Sequence, residues 1–161
     1  DFIALRDEFF GNYEKALLVE SKLFDQMDEL LNYMDHAKLP WGIVTNKSER
    51  FTKPLVELMG LHTRSISTVS GDTTPHSKPH PEPILHAARV ANINPTKSLY
   101  VGDDIRDVIA GKAAGMKTVA AAYGYCGCKE PPEAWGADHL IVHILLLLAF
   151  IFFFQGIKKK K

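Results

Sequence analysis

Short apolar runs alternate along this chain with amphipathic segments, and that alternation limits the fold more than any other feature. The runs at 41–45, 66–69, 98–101, 118–121 and 139–142 have strand length. Between them, 48–59, 84–91 and 104–114 carry apolar residues every three or four positions, the period of a helix. Strands joined by whole helices cannot pair as hairpins, so they are expected to lie parallel. The expected class is therefore α/β, a Rossmann-like parallel sheet flanked by helices. Phe51, Leu55, Val56 and Met59 should face inward from one helix, and Ile105, Val108, Ile109 and Ala113 from another. Ser48 stands where a cap belongs, and Gly60 and Gly115 stand where helices stop. Two further helices are expected before the first strand. One spans 2–20 with Phe2, Leu5, Phe9, Tyr13 and Leu17 on one stripe, and one spans 28–36 with Leu30, Leu31 and Met34 inward.

Composition narrows the function classes. The 19 basic and 19 acidic side chains cancel, so net charge gives no argument for nucleic acid or a membrane surface. Two cysteines, Cys126 and Cys128, are too few for a disulfide framework and fit a reducing cytoplasm. Their spacing is not that of common zinc sites. No signal peptide opens the chain, which starts at Asp1 without Met and reads as a fragment or a processed product.

In open parallel sheets, ligands sit outside the carboxyl ends of the strands. The polar residues of this chain gather there. Thr45 and Asn46 end the first run, and VGDDIRD places Asp103, Asp104 and Asp107 after the run at 98–101. Lys78 stands in the loop SKPHPEP, ahead of a helix. Crowded carboxylates need a counter-charge. Mg²⁺ suits them, because it favours one or two carboxylates together with waters and phosphate oxygens. A phosphoryl group in transfer spreads charge over its oxygens and is stabilised by positioned positive charge. Lys78 would be such a charge, and the Thr45 hydroxyl and the Asn46 backbone N–H would be donors. Taken singly, each feature has a structural explanation: a strand-end Thr, a solvated Lys, acids that cap a helix. Their order, each at the proper end of an α/β unit, favours a phosphate cradle with a metal.

These residues resemble the haloacid dehalogenase superfamily of phosphohydrolases. WGIVTNK is similar to its second motif, SKPHPEP to its third, and YVGDDIRDVIAGKAAGMKT to its fourth. KPHPEP with VGDD and the later YGY looks most like the phosphoglycolate phosphatase group, and N-acetylmuramic acid 6-phosphate phosphatases are very similar there. The resemblance implies a Mg²⁺-dependent phosphatase of a small phosphorylated metabolite, with 2-phosphoglycolate ahead of N-acetylmuramic acid 6-phosphate or another sugar phosphate. It implies that Thr45 and Asn46 bind the phosphoryl group and that Lys78 neutralises it. Asp103 would bind Mg²⁺ directly, with Asp104 or Asp107 holding metal waters or orienting Lys78. The first motif, DxDGT, which carries the nucleophilic Asp, has no counterpart here, so this chain is expected to be inactive by itself. A non-catalytic phosphatase-like fragment is the rival reading. A receiver-like signalling domain is rejected, because its acid pair comes before its Thr and Lys.

On this basis residues 1–20 read as the last part of a helical cap, 21–142 as the core without its first strand, and 143–161 as an atypical tail. That tail, ILLLLAFIFFF followed by QGIKKKK, has an apolar run too short for an ordinary membrane span and suggests a degraded or misread end, with a membrane anchor as the lesser reading. Lys47, Arg50 and Lys53 read as a solvated helix face, although they could add positive potential near a phosphate.

Overall fold

The computed structural model describes residues 1–17, 19, 21–127 and 130–158, with side chains to residue 151. In chain order its elements are α1 (Phe2–Lys15), α2 (Met27–His36), β1 (Ile43–Val44), α3 (Glu49–Leu58), β2 (Thr68–Val69), α4 (Glu82–Val90), β3 (Leu99–Gly102), α5 (Ile105–Ala113), β4 (Lys117–Ala121), β5 (His139–Ile141) and α6 (Ile144–Lys158). All strand pairs are parallel. The α/β class expected from the alternation is the class found.

The sheet comes in two pieces, β1–β2 and β3–β4–β5. In the larger piece Val101 stands opposite Val119, and Val119 opposite His139. Strand β4 is its centre. Thr118, Val119, Ala120 and Ala121 are all buried there, as a parallel strand covered on both faces requires. On one side Val119 packs with Ile141, Ile144, Leu147 and Leu30 of α2. On the other, Val108 and Ala120 pack with Trp135. Helices α4 and α5 meet through Ile84, Ala110 and Ala114, against which Val44 and Tyr100 rest.

Several local expectations are corrected. Helix α1 stops at Lys15, well short of residue 20, and none of its residues is buried. Phe2, Leu5 and Phe9, expected inward, are 78%, 66% and 63% exposed. In α5 the inward residues are Asp107, Val108, Ala110 and Gly111, whereas Ile109 and Ala113 face out. Small residues win that face because the helix lies close on the sheet: a Cβ on Gly111 would come within 2.8 Å of Thr118 Cγ2. Ser48 occupies the N-cap of α3 without a side-chain cap bond. Asp72 does that work from the loop after β2, accepting from the Glu49 N–H at 2.7 Å. Gly60 and Gly115 end their helices in the left-handed region as expected, at φ +68° and +78°.

The tail packs in part on the core. Ile144–Lys158 is one helix whose first turns bury Ile144 and Leu147 against α2 and the sheet, with Leu148 and Ile151 partly buried beside them. Among the described residues no helix is long and apolar enough to cross a membrane. Cys128 and the last three lysines lie outside the described residues.

Candidate active site

The carboxyl ends of β1 and β3 face each other, and side chains span the interval. Lys78 Nζ reaches the Val44 carbonyl at 3.0 Å, the Tyr100 hydroxyl at 3.1 Å and Asp107 Oδ1 at 2.7 Å. The Tyr100 hydroxyl donates to the same Val44 carbonyl at 3.3 Å. Lys78 and Asp107 side chains are only 10% and 9% exposed, so this is a buried ion pair with its hydrogen bonds filled. Burial, and then the Asp107 charge, push the Tyr100 phenol well above its usual range, which keeps it neutral.

Asn46 fixes where Lys78 starts. Its side chain donates to the Lys78 carbonyl at 2.8 Å and accepts from the Lys78 N–H at 2.9 Å. The sequence suggested the Asn46 backbone N–H as a phosphate donor; its side-chain amide has a separate task and pins the SKPHPEP loop to the end of β1. Its backbone N–H has no acceptor among the described residues, and neither does the Thr45 hydroxyl proton. Thr45 Oγ1 itself accepts from the Lys47 N–H at 3.1 Å, which holds the turn after β1. Two donors are thus left at the strand end beside a lysine.

The three acids take three different partners. Asp107 is committed to Lys78. Asp104 caps α5, accepting from the Arg106 N–H at 2.8 Å and pairing with its guanidinium at 2.7 Å. The Arg106 side chain holds the Asp104 carboxyl down at about 2. Asp103 follows β3 and turns toward the loop after β4, where its Oδ2 accepts from the Tyr125 N–H at 2.8 Å. That approach needs Gly124, since a Cβ there would lie 2.3 Å from the Asp103 Cβ. Asp103 Oδ1 has no hydrogen-bond donor among the described residues. No three His, Cys, Asp or Glu side chains among them converge as a metal cage. One carboxylate with an open oxygen does fit Mg²⁺, which takes one or two carboxylates and completes its shell with waters and phosphate oxygens.

Helix α1 is clamped beside this site. Tyr13 and Phe10 stand edge-on to Phe51 of α3 at 5.1 and 5.3 Å between ring centroids. Arg50 pairs with Glu14, and Lys47 bonds the Tyr13 hydroxyl while lying 4.6 Å from its ring centre. Lys47 and Arg50 therefore hold α1 in place. Sequence reasoning missed that role and the part of Tyr100. The signal for Tyr100 was its place on the strand, three residues ahead of Asp103.

Comparison with known proteins gives one family. A sequence model described as haloacid dehalogenase-like hydrolase matches residues 2–121. An N-acetylmuramic acid 6-phosphate phosphatase of Pseudomonas putida is 43% identical over 91% of this chain and 66% of its own length. A phosphoglycolate phosphatase of Xylella fastidiosa is 40% identical over 83% of this chain and 58% of its own. Among solved structures, one from Haemophilus somnus described as a "predicted phosphoglycolate phosphatase" superposes with a TM-score of 0.83 at 25% identity, covering 90% of this chain and 64% of that one. The chain thus spans roughly three fifths to two thirds of these relatives.

Proposed function

This chain belongs to the haloacid dehalogenase-like hydrolases, and from that membership we propose that its activity, in the full-length protein, is hydrolysis of a small phosphorylated sugar. N-acetylmuramic acid 6-phosphate takes precedence over 2-phosphoglycolate, reversing the order drawn from the motifs, because the relative with that name aligns at 43% over more of the chain, against 40%. The observation that carries the phosphatase reading is the buried Lys78–Asp107 pair at the carboxyl ends of β1 and β3, beside the open donors of Thr45 and Asn46.

In this reading Thr45 Oγ1–H and the Asn46 N–H bond the phosphoryl oxygens, and Lys78 supplies positive charge at short range. Each Lys78 donor is already engaged. An incoming phosphate would take the place of a neutral acceptor, the Tyr100 hydroxyl or the Val44 carbonyl, and leave the pair with Asp107 intact. Asp107 is a positioning residue: its carboxylate holds the Lys78 ammonium in place. Asp103 would hold Mg²⁺ through its open oxygen, and that ion would neutralise charge on the phosphoryl group. Asp104 serves the helix end. The attacking carboxylate of an aspartyl-phosphate route belongs to the missing DxDGT motif. We read α1 as the last part of a cap, residues 21–142 as the phosphate-holding core and 143–161 as an appended tail.

The test is phosphate release with Mg²⁺ on this chain and on a longer one that includes a DxDGT motif. No turnover is expected from this chain, and turnover sensitive to Lys78→Ala from the longer one. Robust turnover by this chain that Asp103→Asn abolishes would refute the division of labour. A longer chain that hydrolyses no phosphorylated sugar would refute the function.

A further inference from the structure

A second concave site lies along the same edge. Behind the ends of β4 and β5 is a pocket of about 280 Å³ lined by Lys22, Phe24, Asp25, Tyr123, Tyr125 and His143, with Leu23 and Ile144. Its volume is just under the range of about 300–1,000 Å³ usual for small-molecule sites, which suits one monosaccharide rather than a polymer. Its place follows from the parallel sheet. Asp103 comes after β3, Tyr123 and Tyr125 after β4, and His143 after β5, so all stand on one side of the sheet. Adjacent strands are about 4.8 Å apart, which puts the pocket one to two strand spacings from Asp103. The loop that forms its wall is also the loop whose Tyr125 N–H holds Asp103.

The chemistry of the lining is specific. Phe24 sits against both tyrosines, with ring centroids 5.6 Å from each. Tyr125 is 87% exposed and Phe24 37%, so their faces are open rather than spent on the core. Aromatic faces with hydroxyl tips suit a pyranose, whose C–H face packs on a ring while its hydroxyls bond the tips. Lys22 has no carboxylate partner among the described residues. His143 Nδ1 accepts the Leu145 N–H at 3.3 Å, which leaves the ring proton on Nε2 as a donor. A cation and an imidazole N–H beside an aromatic platform suit a carboxylate carried on a sugar.

We propose that this pocket binds the sugar of the substrate, a pyranose bearing a carboxylate, with its ring on Phe24 and Tyr125 and its carboxylate toward Lys22 and His143. The inference rests on the phosphate cradle described above: the phosphate would sit at the ends of β1 and β3, and the leaving group would reach across to β4 and β5.

The test uses this chain and needs no turnover. N-acetylmuramic acid, N-acetylglucosamine (the same ring without the carboxylate) and inorganic phosphate are titrated separately by NMR. N-acetylmuramic acid is expected to move the signals of Tyr123, Tyr125 and His143, and N-acetylglucosamine to bind several-fold more weakly. Tyr125→Ala, at an exposed position, should weaken the first sugar about tenfold, the size of an aromatic stacking contact. Lys22→Ala should make the two sugars bind alike. Phosphate should move Thr45 and Lys78 whether or not Tyr125 is present. Equal binding of both sugars to the unmodified chain, or no shift at the pocket while phosphate still reaches Thr45, overturns this inference and leaves the cradle standing. No phosphate response at Thr45 or Lys78 counts against the cradle itself.

Discussion

The two pieces of the sheet differ in how they are held. In β3–β4–β5 the backbone ladders are continuous, and β4 is buried from Thr118 to Ala121. In β1–β2 both residues of β1 are only half-buried, and Val101, on the β3 side of the interval, is 36% exposed. The larger piece is held by packing. The smaller is joined to it by packing through α2, whose Leu30 and Met27 meet Val119 and Ile141 while Leu31 and Met27 meet Ile43, by α4, and by a polar contact of Lys78 and Tyr100 with the Val44 carbonyl. The groups that read as a phosphate cradle are therefore also a polar bridge between the two pieces, so stability and function should be coupled there and separable elsewhere.

The strongest way to break that bridge is Lys78→Ala. It leaves the Asp107 carboxylate buried without its counter-charge and removes one donor from the Val44 carbonyl. A loss of about 3–5 kcal/mol is expected, the usual cost of removing one partner from a buried pair, measured by urea unfolding with the slope checked for a change in the folded state. A variant that folds with unchanged stability would mean that packing alone joins the pieces. The contrast can be sharpened by paired truncations. Ile141→Ala, where the side chain is 5% exposed in the packed core, should cost about 2–5 kcal/mol. Ile43→Ala, in the half-buried β1, should cost less than half of the Ile141 value, because less apolar surface returns to water. Equal losses would contradict the distinction between the two pieces.

A smaller effect should appear with acid, and one part of it belongs to the larger piece. Asp104 has its carboxyl held down at about 2, first by the hydrogen bond from the Arg106 side chain. Its folded pKa lies below its unfolded one, near 3.9. The unfolded chain therefore binds the proton first as pH falls, and the stability that the pair contributes is present above about pH 4 and lost as pH falls toward 2. The pair is half-exposed on the arginine side and 35% exposed on the carboxylate side, so screening keeps its contribution below about 1 kcal/mol. Arg106→Ala should lessen the slope of stability against pH in that window without removing it, because Asp138, held low first by the Lys117 side chain, loses its partners over the same range. Phosphate binding at Thr45 should be unchanged at pH 7, and a loss there would show that Asp104 belongs to the cradle after all.

Much of this was legible in the sequence because the signals were positional. Thr45, Lys78 and Asp103 each fall at the end of a strand or ahead of a helix, and a parallel sheet brings such ends to one side whatever the details. Partner choice was not legible. VGDDIRD presents three acids of one kind, and only the fold gives Asp107 to Lys78, Asp104 to the helix end and Asp103 to the Tyr125 N–H. The second task of Asn46 was hidden for a similar reason: its backbone N–H was offered as a phosphate donor, but only the fold shows its side-chain amide holding the Lys78 loop. The inward face of α5 was misjudged because periodicity weighs large apolar residues, whereas close packing on a sheet selects Ala110, Gly111 and Ala114. Which residues of the apolar tail turn inward was not legible, because a run of one residue class has no period to read, yet Ile144 and Leu147 find the core.

Helix α1 offers the last and smallest test, and it separates pattern from contact. Its stripe of Phe2, Leu5 and Phe9 has the spacing of a buried face, but these side chains are exposed. The helix is held at its other end, through Phe10 and Tyr13 on Phe51, and through Glu14 and Arg50. If the stripe contributes nothing within this chain, Leu5→Ser should change stability by no more than about 0.5 kcal/mol, as exposed substitutions do. Phe51→Ala, at a side chain 7% exposed, should release the helix as well as leave a cavity. Hydrogen exchange along residues 2–15 separates the two cases. Protection there should survive Leu5→Ser and collapse in Phe51→Ala. If instead Leu5→Ser strips that protection, the stripe is a working contact in solution and α1 is anchored along its whole length.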